Sequence, residues 1–279
     1  MSFKSELILH GNLVNVYTGI ISESYIGIKN GMITYVGKNP VQSKKRIDLG
    51  SKYILPGYID AHVHIESSMM IPSQYARVVV PRGTTCIIAD PHEIANVKGI
   101  EGIKFMIKNS KRSPLKVYFT IPSCVPATRL ETSGATISVK EIKKLKRLDR
   151  IIGLGEVMNF SGVISRDKDI MDKIYACKDM PIDGHAPGLK GLDLCNYISA
   201  GIFSDHESTE KEEAFEKLSL GMWVMIREGS ASKNLSDLIG IVTKENSRRF
   251  MLVIDDKHVE DLLTEGDMDH NLRKAVSSG

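Results

Sequence analysis

The strongest constraint on the fold is a rhythm that starts at residue 53. Apolar runs of strand length fall at 53–60 (YILPGYID), 84–89 (TTCIIA), 115–121 (LKVYFTI), 151–156 (IIGLGE), 180–185 (MPIDGH), 200–205 (AGIFSD), 222–226 (MWVMI) and 250–255 (FMLVID). Helical patterns separate them, for example KGIEGIKFMIKNS at 98–110 and KEEAFEKLSLG at 211–221. Such alternation is the signature of βα units and a parallel sheet. Eight units imply an α/β protein with a compact (β/α)8 TIM-like barrel, near the low end of the usual size. Ahead of it, ELILHGNLVNV, YIGIKNG and MITYVG read as short strands, the last two parted by a KNG turn in hairpin fashion. The expected domains are therefore a small N-terminal β segment over 1–52, an incomplete β-sandwich, and the barrel over 53–279.

Charge excludes some functions. The 279 residues carry 37 Lys+Arg against 34 Asp+Glu, a net +3 that is too balanced for nucleic-acid binding. The basic clusters SKKR (43–46), KNSKRSPLK (108–116) and KEIKKLKR (140–147) read as solvated faces. Cysteines at 86, 124, 177 and 195 form no C-x-x-C pair, so reduced thiols in a cytoplasmic protein are expected. The N-terminus turns polar before a signal-like run is complete, and no stretch approaches the ~20 apolar residues of a membrane span, so no membrane association is expected.

A (β/α)8 barrel keeps its active site at the C-terminal ends of the strands. There GYIDAHVHIESSMM (57–70) places His62 and His64 between Asp60 and Glu66. Alternate residues on a strand point to one side, so both imidazoles can aim at one point. The second strand runs into Asp90, His92 and Glu93, the fourth ends in Glu156, the fifth in His185, the sixth in His206 and the eighth in Asp255 or Asp256. His10, on the β segment, and His258 and His270, after the last strand, read as structural or surface residues. Unpaired polar groups cost several kcal/mol to bury, so the convergent set points to a metal. Nitrogen and oxygen donors without thiolate suit Zn, Mn or Fe(II). Four histidines and two acids exceed one tetrahedral site. They suit two ions about 3.5–4 Å apart, with Glu156 touching both. Two look-alikes fail. HIE (64–66) matches the H-x-E of zinc nucleobase deaminases, which also need a P-C-x-x-C. GLGEVM (153–158) resembles a dinucleotide loop but lacks the third glycine and sets Glu156 against the pyrophosphate.

LPGYIDAHVHIESSMM, ADPHEIANV, GLGEVMNFSGV, DGHAPGLKG, GIFSDHES, LGMWVMIREGSASKNL and IDDKH together resemble the adenine deaminase family of the amidohydrolase superfamily, and GNLVNVYTG resembles that family's opening strands. H-x-H marks only the superfamily. HIESSM, DGHAPG and IREGSA point to the adenine branch rather than to dihydroorotase or cytosine deaminase. The resemblance implies a binuclear centre of divalent metal, manganese before iron or zinc. It implies hydrolysis of adenine to hypoxanthine and ammonia by a metal-bridging hydroxide attacking C6. His62, His64, Glu156, His185, His206 and Asp255 match its metal-ligand positions. Asp255, which also matches a proton shuttle, and Glu156 are the expected catalytic carboxylates. Glu66, Arg227 and Glu228, at strand ends, are candidates for the purine edge, with salt bridges among them as the alternative. Asp90 and His92 either orient the ligands or hold an accessory ion. Ser67, Ser68 and Ser230 are candidates for loop hydrogen bonds.

Family members that resemble this chain continue past the eighth strand, completing the small β domain and adding another. The chain is thus expected to be a shortened member with unpaired strand edges in 1–52, which favour self-association into a homo-oligomer, and with low adenine turnover on its own. The alternatives are an amidohydrolase acting on another cyclic amidine or amide, and a shortened, inactive metal-binding remnant.

Overall fold

The computed structural model describes residues 4–128 and 130–278. They form two compact units, one ending at Gly57 and the other beginning at Tyr58.

The first unit is a four-stranded sheet of β1 (Lys4–Asn15), β2 (Ile20–Lys29), β3 (Met32–Gly37) and β4 (Gln42–Ile54), in the order β3-β2-β1-β4. The β2–β3 turn is the expected one, with φ of 52° at Asn30 and 72° at Gly31. A two-residue hairpin turn of this kind needs two positive φ values, which Asn-Gly supplies. The long strand β4 was not expected, because SKKR reads as a solvated face. It is one: Lys44, Lys45 and Arg46 are exposed, yet the backbone pairs in parallel with β1, Leu7 opposite Lys45 and Ile8 opposite Arg46. A charged edge strand needs no apolar alternation, so only its partner reveals it. His10 is structural, between Asp48 and Glu23 at 3.1 Å each and stacked on Tyr25.

The second unit carries β5 (Tyr58–His64), β6 (Thr84–Ala89), β7 (Lys116–Ile121), β8 (Ile151–Val157), β9 (Ile182–Gly184), β10 (Ser204–Asp205), β11 (Trp223–Arg227), β12 (Phe250–Val253) and β13 (Asp255–Asp256). All ladders are parallel, in the orders β13-β5-β6-β7-β8-β9 and β10-β11-β12. Only Ile254 separates β12 from β13, so one stretch of chain pairs first with β11 and then with β5. Asp60 pins that switch: its Oδ1 accepts the backbone N–H groups of Ile254 and His62, each at 3.2 Å. Parallel neighbours need crossovers, and helices such as His92–Ser110 and Lys211–Ser219 supply them.

The expected strand at 53–60 begins later. Tyr53 and Ile54 belong to the register of β4 with β1, Pro56 offers no N–H for a ladder, and β5 starts at Tyr58. His62 and His64 consequently lie within this strand.

The core of the second unit includes Val63, Ile87, Phe119, Leu154 and Ile254 from the strand region, with Ile103, Met106, Ile170 and Ile174 from the helices. Phe119 has no exposed surface. Phe119→Ala is expected to cost about 3–5 kcal/mol, seen as a lower urea midpoint with an unchanged m-value.

Candidate metal centre

The period-2 geometry of β5 does what its sequence implies. The Nε2 atoms of His62 and His64 come within 3.1 Å of each other. Each ring is set from behind. His62 Nδ1 donates to Asp183 Oδ2 at 2.8 Å, and His64 Nδ1 donates to the Asp90 carbonyl at 3.0 Å. A carbonyl can only accept, so His64 Nδ1 carries a proton and Nε2 is the nitrogen that faces the centre. Such outer hydrogen bonds are how proteins fix the tautomer and orientation of a ligating histidine.

Glu156, at the end of β8, stands in the middle. Its Oε1 lies 3.3 Å from His64 Nε2 and from His92 Nδ1. Its Oε2 pairs with His185 Nδ1 and lies 3.2 Å from His206 Nε2. Asp255 adds Oδ1 at 3.3 Å from His64 Nε2 and 3.5 Å from His62 Nε2. Asp255 has φ of 63°, a strained value for a non-glycine residue that turns its carboxylate out of the ladder.

The backbone of β8 makes room for this. A Cβ at Gly155 would fall 2.1 Å from Asp90 Oδ2, and that same oxygen accepts the Glu156 N–H at 2.9 Å. A Cβ at Gly153 would meet the Pro181 carbonyl at 2.7 Å. The glycines of GLGEVM thus serve strand packing. Asp90 reaches both Glu156, through its side chain, and His64, through its carbonyl. His92 joins His64 and Glu93 in a neighbouring group whose donor atoms lie within 4.8 Å of one another.

The purine-edge candidates separate. Arg227 turns inward, with Nη1 and Nη2 on the two carboxylate oxygens of Glu207 at 2.5 and 2.7 Å and Nη1 also on Asp255 Oδ2 at 2.7 Å. Glu228, the next residue, is buried the other way and takes Lys274 at 2.6 Å. Neither pairs with Glu66. Glu66 lies near His64 and Glu93, its Oε1 reached by the Ile94 N–H at 3.4 Å; burial first, and the charge of Glu93 second, push its pKa up to about 7. Ser67, in the short 3-10 turn Ile65–Ser68, binds Asp256, Ser68 binds the Ile65 carbonyl of the same turn, and Ser230, in a loop, binds Asp261. Two acids at the centre escaped the sequence reading, Asp183 and Glu207. The available signal was proximity: one stands two residues before His185, the other directly after His206.

Burial alone would depress the pKa of His62 and His64. The carboxylates of Asp183 and Asp255 for His62, and of Asp255, Glu156 and Glu93 for His64, outweigh it and hold both well above the usual histidine value. Burial would raise Glu156, but the imidazoles of His185, His206 and His64 hold it well below the usual carboxylate range. The acids thus create a demand for positive charge at the donor atoms. Donor groups are drawn tight here: His62/His64/Glu156, Glu156/His185/His206 and His62/His206/Asp255 each keep their ligand atoms within 4.8 Å. Glu66 Oε2 and Glu93 Oε2 are buried with no hydrogen-bond partner among the described residues. Nitrogen and oxygen donors, tautomers set from behind and excess acid together fit a divalent cation.

A parallel α/β sheet carries this histidine and carboxylate cluster at its strand ends, and the chain belongs to the amidohydrolase family, whose pattern residues 53–269 match. The curated relatives it resembles include the adenine deaminase of Desulfatibacillum aliphaticivorans, 46% identical over 97% of this chain and 48% of that protein. The adenine deaminase of Thermosipho africanus is 49% identical over 98% of this chain and 48% of its own length. The chain therefore spans about half the length of the curated relatives it matches. Among solved structures, N-acetyl-D-glucosamine-6-phosphate deacetylase from Mycobacterium smegmatis aligns with a TM-score of 0.68 at 14% identity, over 98% of this chain and 83% of that one. A dihydroorotase aligns with a TM-score of 0.59 at 17% identity, over 98% and 78%. Those likenesses concern the fold alone.

Because Asp183 holds His62 from behind, Asp183→Ala is expected to weaken divalent-metal affinity about 10–100-fold, measured by competition with a chelator, with the far-UV circular dichroism unchanged.

Proposed function

We propose that this chain carries the metal-dependent adenine deaminase centre, hydrolysing adenine to hypoxanthine and ammonia. The observation that carries the reading is the carboxylate of Glu156, whose two oxygens face different histidine pairs, in a chain 46–49% identical to adenine deaminases over nearly its whole length. In this reading the eight strand segments close into a barrel. Its support is the β12–β13 stretch that joins the ladders, and the Cβ-excluding approach of the Ser204 carbonyl to Gly184 between β9 and β10. His62, His64 and Asp255 would hold one divalent cation and His185 and His206 a second, with Glu156 standing between the two sets. Manganese is the first choice, Fe(II) or Zn the next, and the compartment is the cytoplasm.

Divalent cations in this donor set supply the Lewis acidity that lets a water lose a proton near neutral pH. The chain's own residues do the rest. As the water oxygen bonds to C6, Asp255 takes one water proton and passes it to ring N1; the second water proton goes to the amine, which leaves as ammonia when the C6–N bond breaks. Arg227 holds Asp255 Oδ2 and so leaves Oδ1 turned to the histidines. Glu66, half-buried near His64, offers a carboxyl to the purine edge. Glu207 keeps Arg227 in place through two hydrogen bonds.

The test is an assay of the purified chain, stripped with chelator and reloaded with Mn²⁺, against adenine, guanine, cytosine and dihydroorotate. Hypoxanthine should form from adenine only, and not from the stripped protein. Turnover of another ring, with adenine untouched, would move the reading to that substrate. Glu156→Gln keeps the shape but removes the charge, and is expected to lower adenine turnover at least a hundredfold, about 2.7 kcal/mol of transition-state stabilisation, while the melting transition stays cooperative.

A further inference from the structure

Lys217 stands apart from the other lysines of its helix. It lies in Lys211–Ser219, its side chain has no exposed surface, and it has no place in the mechanism above. Its Nζ donates to the Ala186 carbonyl at 2.7 Å, Asp205 Oδ2 at 2.8 Å, Ser208 Oγ at 3.1 Å and Glu213 Oε1 at 2.6 Å. An ammonium has three protons, so four acceptors saturate it.

The acceptors are not scattered. Ala186 follows His185, and Asp205 precedes His206. Asp205 ties the same two loops a second time: its Oδ1 accepts the Ala186 N–H at 2.8 Å, and its Oδ2 accepts the N–H groups of Glu207 and Ser208 at 3.1 Å each. Glu213 Oε1 also accepts the Gly188 N–H at 2.8 Å. One buried cation and two buried carboxylates therefore clamp the backbone on the far side of both histidines. The His62/His64 side is held by other groups, Asp183 and Asp90; neither bonds Lys217 itself, and Asp183 meets the clamp at Ser204, whose hydroxyl donates to Asp183 Oδ1 at 2.6 Å.

We infer that Lys217, with Asp205 and Glu213, is a positioning residue that sets the separation of His185 and His206, so that half of the metal centre can be weakened without the other. This rests on the two-sided centre proposed above. Burying a lysine is costly even when paired, and apolar packing of similar volume is often at least as stable. Stability alone is thus a poor reason for the cluster, whereas geometric definition of two loops is a sufficient one.

The experiment uses Zn²⁺ as the probe and ¹⁵N-histidine NMR of the full chain, which reads each imidazole separately. In the wild type, zinc should shift His62, His64, His185 and His206. In Lys217→Met the responses of His185 and His206 should move to about 10–100-fold higher zinc, while His62 and His64 respond as in the wild type. Glu213→Gln, which leaves Lys217 its Asp205 partner and stands in should Lys217→Met not fold, should show the same selective change in smaller degree. Phe119→Ala, a destabilised control remote from the clamp, should leave all four responses together. Wild-type zinc responses in the clamp variants, or equal loss at all four histidines, would overturn the clamp alone. A wild type without any zinc response would overturn the metal-centre reading and this inference together.

Discussion

The interaction on which the rest of the site depends is the position of Glu156 among the imidazoles. A carboxylate with almost no solvent would be expensive on its own. Here His64 and His92 approach one oxygen and His185 and His206 the other. Those contacts turn a desolvation penalty into a requirement for positive charge on both sides. The surrounding residues answer the same requirement. Asp183 and Asp90 orient histidines, Arg227 balances Asp255 and Glu207, and Lys217 balances Asp205 and Glu213. In these pairs a buried charge meets an opposite one, and Asp183, Asp90 and Arg227 also set the direction of a group that faces the centre.

That layer of partners explains local sequence that periodicity leaves unexplained. The two glycines of β8 are needed because Asp90 and the Pro181 carbonyl crowd the strand at Gly155 and Gly153. Asp60, buried two residues before His62, accepts the N–H of Ile254, where the last strand changes neighbours, and the N–H of His62 on β5. Asp255 follows at once, with the positive φ that frees its side chain for the centre. Fold and site are therefore coupled: the irregularity that joins two ladders also presents a functional carboxylate.

Reach along a strand is the recurring reason why neighbours in sequence differ in role. Arg227 and Glu228 both stand at the end of β11, but alternation sends one to Asp255 and the other to Lys274 among the helices. Asp183 lies two residues before His185, so the same alternation keeps it on the inner side, where it meets His62.

The sequence by itself determined the βα rhythm, the Asn-Gly hairpin of the first sheet and the histidines and acids at the strand ends. These follow from short-range periodicity and from the rarity of clustered ionisable residues at apolar strand ends. Only the tertiary structure decided where the first parallel strand starts, that SKKR lies in an edge strand, that Arg227 pairs with Glu207 rather than Glu66 or Glu228, and that Lys217 is buried between two loops. Each of those depends on a partner 20 to 41 residues away, whose approach is set by strand pairing and packing. Local composition cannot encode which distant group will meet a charge. It can only make an unmet charge too costly to bury.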